Sequence, residues 1–104
     1  MEPEFSILVV CLNPGEKLRM TLESIRKQTY RNYEVVVKDG LSTDGSAACA
    51  EAYAQDFPSM RFLARKDGGI YDAMNQAVRA AEGKYLYFLN CGDRFYNEKV
   101  LEEI

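Results

Sequence analysis

YEVVVKDGLSTDGS, residues Tyr33 to Ser46, is the stretch of sequence that decides the fold. Its first half is a short β-branched run that ends on an acidic residue, and its second half is a glycine-rich acidic loop. A buried strand that runs directly into such a loop is typical of an open α/β sheet, where ligands bind outside the carboxyl ends of the strands. Asp39 and Gly40 are therefore predicted to lie at a ligand-binding edge.

Apolar runs and amphipathic segments alternate on both sides of this stretch. The apolar run 6–12 predicts a strand buried on both faces, because it is short and β-branched in its middle. Segment 16–28 has apolar residues at helical spacing. In chain order, strands are predicted at 6–12, 33–38, 60–64 and 84–89, and helices at 16–28, 44–55 and 69–81, followed by a last turn after Asn97.

Local signals predict where the helices begin and end. Asn13 is expected to cap the first helix, with Pro14 in its first turn. Gly83 is expected at the C′ position of the third helix. After Asn97, the residues Val100, Leu101 and Ile104 point one way and form an apolar stripe without a closing cap.

The order β-α-β-α-β-α-β, with connections of helical length, predicts parallel strands and right-handed crossovers. We therefore expect an α/β fold, a three-layer Rossmann-like sheet with about four strands. The 104 residues, 47% of them hydrophobic, suit one domain.

The composition of the chain argues against several kinds of site and targeting segment. The net charge is −3, and the 13 Lys and Arg residues are scattered, which argues against a nucleic-acid groove or a polybasic membrane patch. Three distant cysteines and no histidine argue against a zinc site and predict free thiols in a reducing compartment. The run FSILVVCL is too short for a membrane span and lacks a basic leader, so neither a signal peptide nor an anchor is expected.

Carboxylates follow three of the predicted strands, at Asp39, Asp67 and Asp93. Parallel strands open their carboxyl-end loops on one edge, so these acids are expected to converge there. Converging carboxylates suit a hydroxyl-rich or base-containing ligand, or a divalent cation that bridges to phosphate oxygens. Each aspartate could equally serve only a turn or a helix cap. Neither a GxGxxG nor a P-loop motif is present.

Several blocks in order resemble one known family. They are SILVVCLN, LRMTLESIRKQTYRNYEVVVKDGLSTDGS, DGGIYDAMNQAVRAAEGKYLYFLN and CGDRF. Together they resemble the nucleotide-sugar-binding part of family 2 glycosyltransferases with the GT-A fold, from Phe5 to about Phe95. The resemblance implies that residues 1–104 form this donor-binding part and that the acceptor-binding half of the domain is absent.

The resemblance also implies roles for individual residues. Leu12 stands where the family often has an aromatic residue that packs on the base. Asp39 would accept hydrogen bonds from the nucleobase, Asp67 would contact the sugar nucleotide, and Asn75 would support that loop. The implied nucleotide-sugar site is Val10, Leu12, Asn13, Asp39, Asp67 and Asn75.

Residues 90–93 correspond to the region of the family's DxD metal motif. Here they read Asn90, Cys91, Gly92 and Asp93, with a single carboxylate. Asp93 is the candidate ligand and Asn90 the weaker oxygen donor for Mg²⁺ or Mn²⁺.

The function implied by the resemblance is inverting transfer of a sugar from a nucleotide-diphosphate sugar to a hydroxyl acceptor, in polysaccharide or cell-envelope glycan synthesis. The general base is expected beyond Ile104, so this chain is expected to be incomplete for catalysis. The alternative is a non-catalytic α/β binding or interaction module, such as a degenerate transferase domain.

The expected partners are the donor and a saccharide or lipid-linked acceptor, without nucleic acid. The expected location is the cytoplasm, with the inner face of the membrane as a second setting. The apolar stripe at the C-terminal end predicts a missing packing partner, either a further half of the domain or a second copy of the chain.

Overall fold

The computed structural model describes residues 3–104 and confirms the α/β architecture. Strands and helices alternate strictly along the chain. The strands are β1 (Phe5–Cys11), β2 (Tyr33–Asp39), β3 (Met60–Ala64) and β4 (Tyr85–Phe88). The helices are α1 (Glu16–Arg26), α2 (Ser46–Ala54), α3 (Ile70–Ala80) and α4 (Val100–Glu103).

All four strands pair in parallel, in the order β3-β2-β1-β4. The registers align Cys11 with Asp39 and Asp39 with Ala64, so the first three strands end at one level. Strand β4 ends opposite Leu8, well before β1 does. Beyond β4 the chain still runs beside β1, because the Leu89 N–H donates to the Leu8 carbonyl at 3.0 Å.

One face of the sheet carries most of the core. Helix α1 buries Leu18, Leu22 and Ile25 against it, which confirms the predicted amphipathic helix. Burial of each such side chain stabilises the fold by roughly 1.5–3 kcal/mol. Every residue of β2 is buried, as expected for a strand with neighbours on both sides and helices on both faces.

Helix α3 covers the other face, where Ala77 packs with Leu8 and Val36. This smaller cluster does not extend over β4. Leu86 and Phe88, which share the face of Leu8 through their register, remain 43% and 41% exposed.

Two predicted caps are wrong. Helix α1 begins after Gly15, whose N–H donates to Asp44 Oδ2 at 2.7 Å, and Asn13 provides no cap. The C-cap of α3 is Ala81, so Gly83 is not at C′. Gly83 is instead needed for close packing, because a Cβ built there would lie 2.6 Å from the Ser6 nitrogen and 2.7 Å from the Phe5 carbonyl carbon.

The apolar stripe predicted near the C-terminal end is mostly covered. Leu101 is buried in the main core and Val100 packs against that core. The Leu101 N–H also donates to the side chain of Gln28, just after α1, at 3.1 Å. Only Ile104 is left exposed, at 69%. The expectation of an exposed stripe is therefore wrong for two of its three residues.

Candidate functional site

The loops after β1 and β2 are joined at the carboxyl edge by Asn13. Its N–H donates to Ser42 Oγ at 2.6 Å, and its Oδ1 accepts the Thr43 N–H at 2.8 Å. Asn13 adopts φ +47°, which asparagine tolerates better than most residues. The predicted site residue Asn13 thus holds two loops together, while its neighbour Val10 is half-buried against the second face of the sheet.

Asp39 is buried at the end of β2, with only 3% of its surface exposed. Its Oδ2 accepts the Ser42 N–H at 2.7 Å, and its Oδ1 accepts from Ser42 Oγ and from Cys11 Sγ. A carboxylate offers about four acceptor positions, so these three bonds leave about one for a ligand. The loop after β2 thus folds over the Asp39 carboxylate through its own hydrogen bonds.

Lys38 lies beside Asp39 and is fully buried. Its Nζ donates to Asp67 Oδ2 at 2.8 Å, to the Arg65 carbonyl at 2.6 Å and to the Asp39 carbonyl at 3.1 Å. The hydrogen bond from Lys38, assisted by that of the Gly69 N–H, holds the pKa of Asp67 below its usual range. Asp67 is therefore an ionised, anchored carboxylate.

Three strand ends meet around Gly40. A Cβ built on Gly40 would lie 3.1 Å from Asp67 Oδ2 and 3.4 Å from Leu12 Cδ1. Leu12 is 62% exposed and Leu41 is 52% exposed, so two apolar side chains flank the buried Asp39. The structure thus brings together Leu12, Asp39 and Asp67, as the parallel sheet predicts.

The loop that carries Asp67 is held by α3, but not through Asn75. Asp72 Oδ2 accepts the Gly68 N–H at 2.9 Å, and Gln76 donates to Asp72 and to the Lys66 carbonyl. The Asn75 side chain is exposed and makes no hydrogen bond within residues 3–104. Asp72 and Gln76, one helical turn apart, make the contacts with this loop that were predicted for Asn75.

The turn after β4 lies against α1. Thr21 Oγ1 donates to the Asp93 carbonyl at 2.8 Å and accepts the Gly92 N–H at 2.7 Å. The Asp93 N–H donates to the Asn90 carbonyl at 2.8 Å, which closes the turn. The backbone of this turn is therefore fixed by α1 and by its own hydrogen bond.

The donor set of this turn suits a hard divalent cation only in part. Asn90 and Asp93 are both exposed and present oxygen atoms, the ligands that Mg²⁺ and Mn²⁺ prefer. No group of three His, Cys, Asp or Glu side chains in the described part of the chain could hold an ion. Two oxygen donors fit an ion that takes its remaining ligands from substrate phosphates and water.

A groove of about 890 Å³ lies between α1 and residues 92–99. Asp93 lines it, together with Arg19, Lys27 and Arg94. The groove is therefore beside the predicted metal turn and away from Asp39.

The three cysteines are free, as predicted. Cys11 is buried, whereas Cys49 and Cys91 are half-buried. Hydrogen bonding with Cys91, burial and the nearby Asp39 carboxylate raise the pKa of the Cys11 thiol. Cys11 is thus a core thiol whose pKa lies above its usual range.

Three polar residues of this edge escaped the sequence reasoning: Lys38, Ser42 and Thr21. Lys38 had a signal, because a lysine inside the run VVVKD of a strand buried on both faces needs an anionic partner. Thr21 on the apolar face of α1 is a weaker signal of the same kind. Ser42 gave no such signal beyond its place in a turn.

Among residues 3–104, no helix is both long and apolar enough to cross a bilayer.

Sequence comparison shows that the chain is similar to glycosyltransferases. The model of glycosyl transferase family 2 matches residues 6–104. A PGL/p-HBAD biosynthesis glycosyltransferase of Mycobacterium bovis (strain BCG / Pasteur 1173P2) is 37% identical over 103 residues, which are 98% of this chain and 40% of that protein. The glycosyltransferase YibD of Escherichia coli (strain K12) is 31% identical over 93 residues, 89% of this chain and 27% of that protein.

Solved structures show the same architecture. Residues 1–349 of S. aureus TarS, in complex with UDP-GlcNAc, superpose with a TM-score of 0.86 at 29% identity, covering 96% of this chain and 29% of that one. The mannosyltransferase PcManGT from Pyrobaculum calidifontis, in complex with GDP-Man and Mn²⁺, gives 0.84 at 25% identity, covering 94% and 30%. The chain spans about 40% of the length of the mycobacterial relative.

Proposed function

Because the chain belongs to glycosyl transferase family 2, we propose that residues 1–104 form the nucleotide-sugar-binding part of a glycosyltransferase. The observation that carries the proposal is the meeting of Leu12, Gly40 and Asp67 around the buried Asp39. This places an apolar wall and two carboxylates at the edge where open α/β sheets bind ligands. The complexes of TarS with UDP-GlcNAc and of PcManGT with GDP-Man support a nucleotide-sugar donor here.

The donor would bind with its base between the exposed leucines and Asp39. Leu12 and Leu41 offer apolar surface to the base plane, and the one acceptor position left on Asp39 accepts a base N–H. Asp67, with two oxygens fixed by Lys38 and Gly69, accepts hydroxyl donors of the sugar nucleotide. Asn13 keeps the loops on both sides of this slot together.

A divalent cation would be held by Asp93 and Asn90, with the donor's phosphate oxygens completing its coordination. When bound, such an ion stabilises the charge that develops on the departing diphosphate. The presence of Mn²⁺ in the PcManGT complex supports this assignment.

The reaction we propose is an inverting transfer. An acceptor hydroxyl loses its proton to a carboxylate and forms a bond to the anomeric carbon, while the bond from that carbon to the diphosphate oxygen breaks. We propose that the base carboxylate lies outside the donor-binding part; the chain spans 40% of the length of the mycobacterial relative. The chain itself is expected to bind the donor without efficient turnover.

We also propose a role in polysaccharide or cell-envelope glycan synthesis; the mycobacterial relative is itself named for a biosynthesis, that of PGL/p-HBAD. We propose a saccharide or lipid-linked acceptor on this ground. The free thiols support a cytoplasmic setting, with the inner face of the membrane as the place where a lipid-linked acceptor is met.

Isothermal titration of the chain with UDP, GDP and dTDP, each with and without MnCl₂, tests the proposal. We expect saturable heat with at least one nucleotide and tighter binding when Mn²⁺ is present. Asp39→Asn keeps the size of the buried side chain but replaces one acceptor oxygen with a donor, and should weaken binding by about tenfold. Asp56→Asn, on an exposed acid before β3, is the matched control and should bind as the parent does.

No heat with any of the three nucleotides would contradict the proposal. Equal affinity of Asp39→Asn and the parent would remove Asp39 from the site. The first of these results would favour a non-catalytic α/β module that retains the fold.

A further inference from the structure

The ammonium of Lys38 is the one fully buried cation among the described residues. It sits under the loops of the candidate site, at the carboxyl end of β2. A buried unpaired ammonium would cost several kcal/mol, so its presence needs compensation by hydrogen bonds and an opposite charge. That compensation determines which groups Lys38 organises.

Lys38 uses all three of its N–H donors on groups of the site. One goes to the Asp67 carboxylate, one to the Arg65 carbonyl after β3 and one to the Asp39 carbonyl at the end of β2. An ammonium has three donors, so none is left for a ligand. Lys38 therefore cannot touch the donor directly and can act on it only through these groups.

The Asp67 carboxylate has little else to fix it. Its other bond, from the Gly69 N–H at 3.1 Å, comes from within its own loop. That loop contains two adjacent glycines, Gly68 and Gly69, and Gly69 has φ +128°. The contact with Lys38 is thus the bond that ties the Asp67 side chain to the rigid sheet.

We infer that Lys38 is a positioning residue for the nucleotide sugar, acting through Asp67: it holds that carboxylate beside Gly40 and Leu12 in the orientation that the donor requires. The inference rests on the proposed function, since it assigns a role within the same site. It also predicts a charge effect, because the Lys38 ammonium offsets one of the two carboxylates that a diphosphate would otherwise meet.

A double-mutant cycle tests this inference. The four proteins are the parent, Lys38→Met, Asp67→Asn and the double variant, each titrated calorimetrically with UDP and GDP in the presence of MnCl₂. Lys38→Met should raise Kd by about tenfold in the parent background and by less than about twofold in the Asp67→Asn background. Lys84→Met is the matched control and should leave Kd unchanged. It alters an exposed lysine just before β4, at the amino ends of the strands.

The cycle separates positioning from mere stabilisation. Urea unfolding will show a loss of stability for Lys38→Met, because burial of the methionine leaves Asp67 without its partner. A purely structural role would produce that loss with Kd unchanged for the folded protein, or a rise in Kd of equal size in both backgrounds. Either of these results would overturn the inference.

If Lys38→Met does not fold, Lys38→Gln takes its place in the same cycle, since glutamine keeps two N–H donors at the end of the side chain. The same coupling with Asp67→Asn is then expected, and additivity again overturns the inference. Absence of nucleotide binding by the parent would overturn the proposed function and this inference together. Binding by the parent with additive variants would overturn this inference alone.

Discussion

Leu41 and Asn13 both have a positive φ, at +73° and +47°, on the two loops that meet at the sheet edge. For asparagine this conformation is tolerated, whereas for a leucine it costs roughly 1–2 kcal/mol. The hydrogen bonds of Ser42 to Asp39 on the residue's C-terminal side help to impose it. Such strain with an exposed apolar side chain is consistent with a binding role for Leu41.

Leu41→Gly should therefore stabilise the chain while it weakens nucleotide binding. Glycine adopts the positive φ without strain but adds unfolded-state entropy, so we expect a net gain of roughly 0.5–1 kcal/mol in the free energy of unfolding. Urea denaturation followed by circular dichroism measures this gain. Leu12→Ala, which removes an exposed leucine without a positive φ, should leave stability nearly unchanged. A loss of stability in Leu41→Gly would show that the leucine side chain contributes to packing.

Three carboxylates give the chain a predictable response to acid. The pKa of Asp67 is lowered by Lys38, that of Asp44 by Ser46 and then the Gly15 N–H, and that of Glu23 to about 2 by Arg26 and then Tyr53. A carboxylate with a depressed pKa in the folded state stabilises the fold above its unfolded pKa. That contribution is lost as the pH falls through the folded value.

We expect the urea midpoint to be flat near neutral pH and to fall from about pH 4.5 towards pH 2. Asp67→Asn removes one of the three groups, so its midpoint should depend less on pH in this window. Asp56→Asn, which alters an exposed acid before β3, serves as the control. An identical acid slope in Asp67→Asn and the parent would argue against the Lys38 ion pair in solution.

The position of a single residue was easier to predict when it depends on the end of a strand than when it depends on a distant partner. Asp39, Asp67 and Asp93 were predicted to meet at one edge because the ends of parallel strands coincide, and the structure places Asp67 and Leu12 beside Gly40, next to Asp39. Asn13 was predicted as a helix cap, but Thr43 and Ser42 on another loop engage it. A rule based on local spacing cannot identify partners that lie on another loop.

The contact between α1 and the turn after β4 depends on Thr21, which bonds both the Gly92 N–H and the Asp93 carbonyl. Thr21→Val keeps the shape of the side chain but leaves both backbone groups without this partner. We expect a loss of about 1–3 kcal/mol in unfolding free energy and weaker Mn²⁺-dependent nucleotide binding.

Thr21→Ser is the matched control, because it retains the hydroxyl and should recover most of the binding. Manganese affinity can be followed by electron paramagnetic resonance in the presence of UDP. Equal loss in both variants would mean that the methyl group matters and that the hydroxyl does not position the turn.

The link between α3 and β4 depends on Gly83, which packs directly on the start of β1. Gly83→Ala would place its Cβ against Ser6 and Phe5 backbone atoms, which cannot move without disturbing the sheet. We expect a destabilisation of about 2–3 kcal/mol, measured by thermal or urea unfolding. Gly68→Ala is the control, because the nearest atom to a Cβ there is 3.9 Å away. Similar stability of the two variants would contradict the close packing.

Element positions followed from periodicity, and β3 was predicted with its observed bounds. Helix ends were less predictable, because the residues beside them are held from elsewhere in the chain. The N–H of Gly15, the N-cap residue of α1, donates to Asp44, a residue before α2. The start of α4 shows the same limit of local patterns, since the Leu101 N–H donates to Gln28, which lies just after α1.

The parallel topology of the whole molecule could be derived from the alternation of strands and helices. The short β4 could not, because nothing in the run KYLYFL shows that pairing ends opposite Leu8. The turn that follows β4 is held by Thr21 of α1, a contact that no local pattern of the sequence shows.

Strand β4 is an edge strand whose outer side has no charged residue between Tyr85 and Phe88. Unprotected edges with exposed apolar side chains tend to pair with other chains. We expect the isolated chain to self-associate as its concentration rises, and Phe88→Lys to reduce this association. Sedimentation velocity over a concentration series measures it, with Arg61→Lys on the opposite edge as the control. A monomer at all concentrations would contradict the expectation.

The strand order has a consequence for the timing of biosynthesis. Central strand β1 is the first to be made, yet its neighbour β4 is the last, since Phe5 pairs with Tyr85. At about 5–20 residues per second, synthesis of the intervening 80 positions takes roughly 4–16 s. During that interval the backbone N–H and C=O groups on one side of β1 have no strand in the nascent chain to pair with.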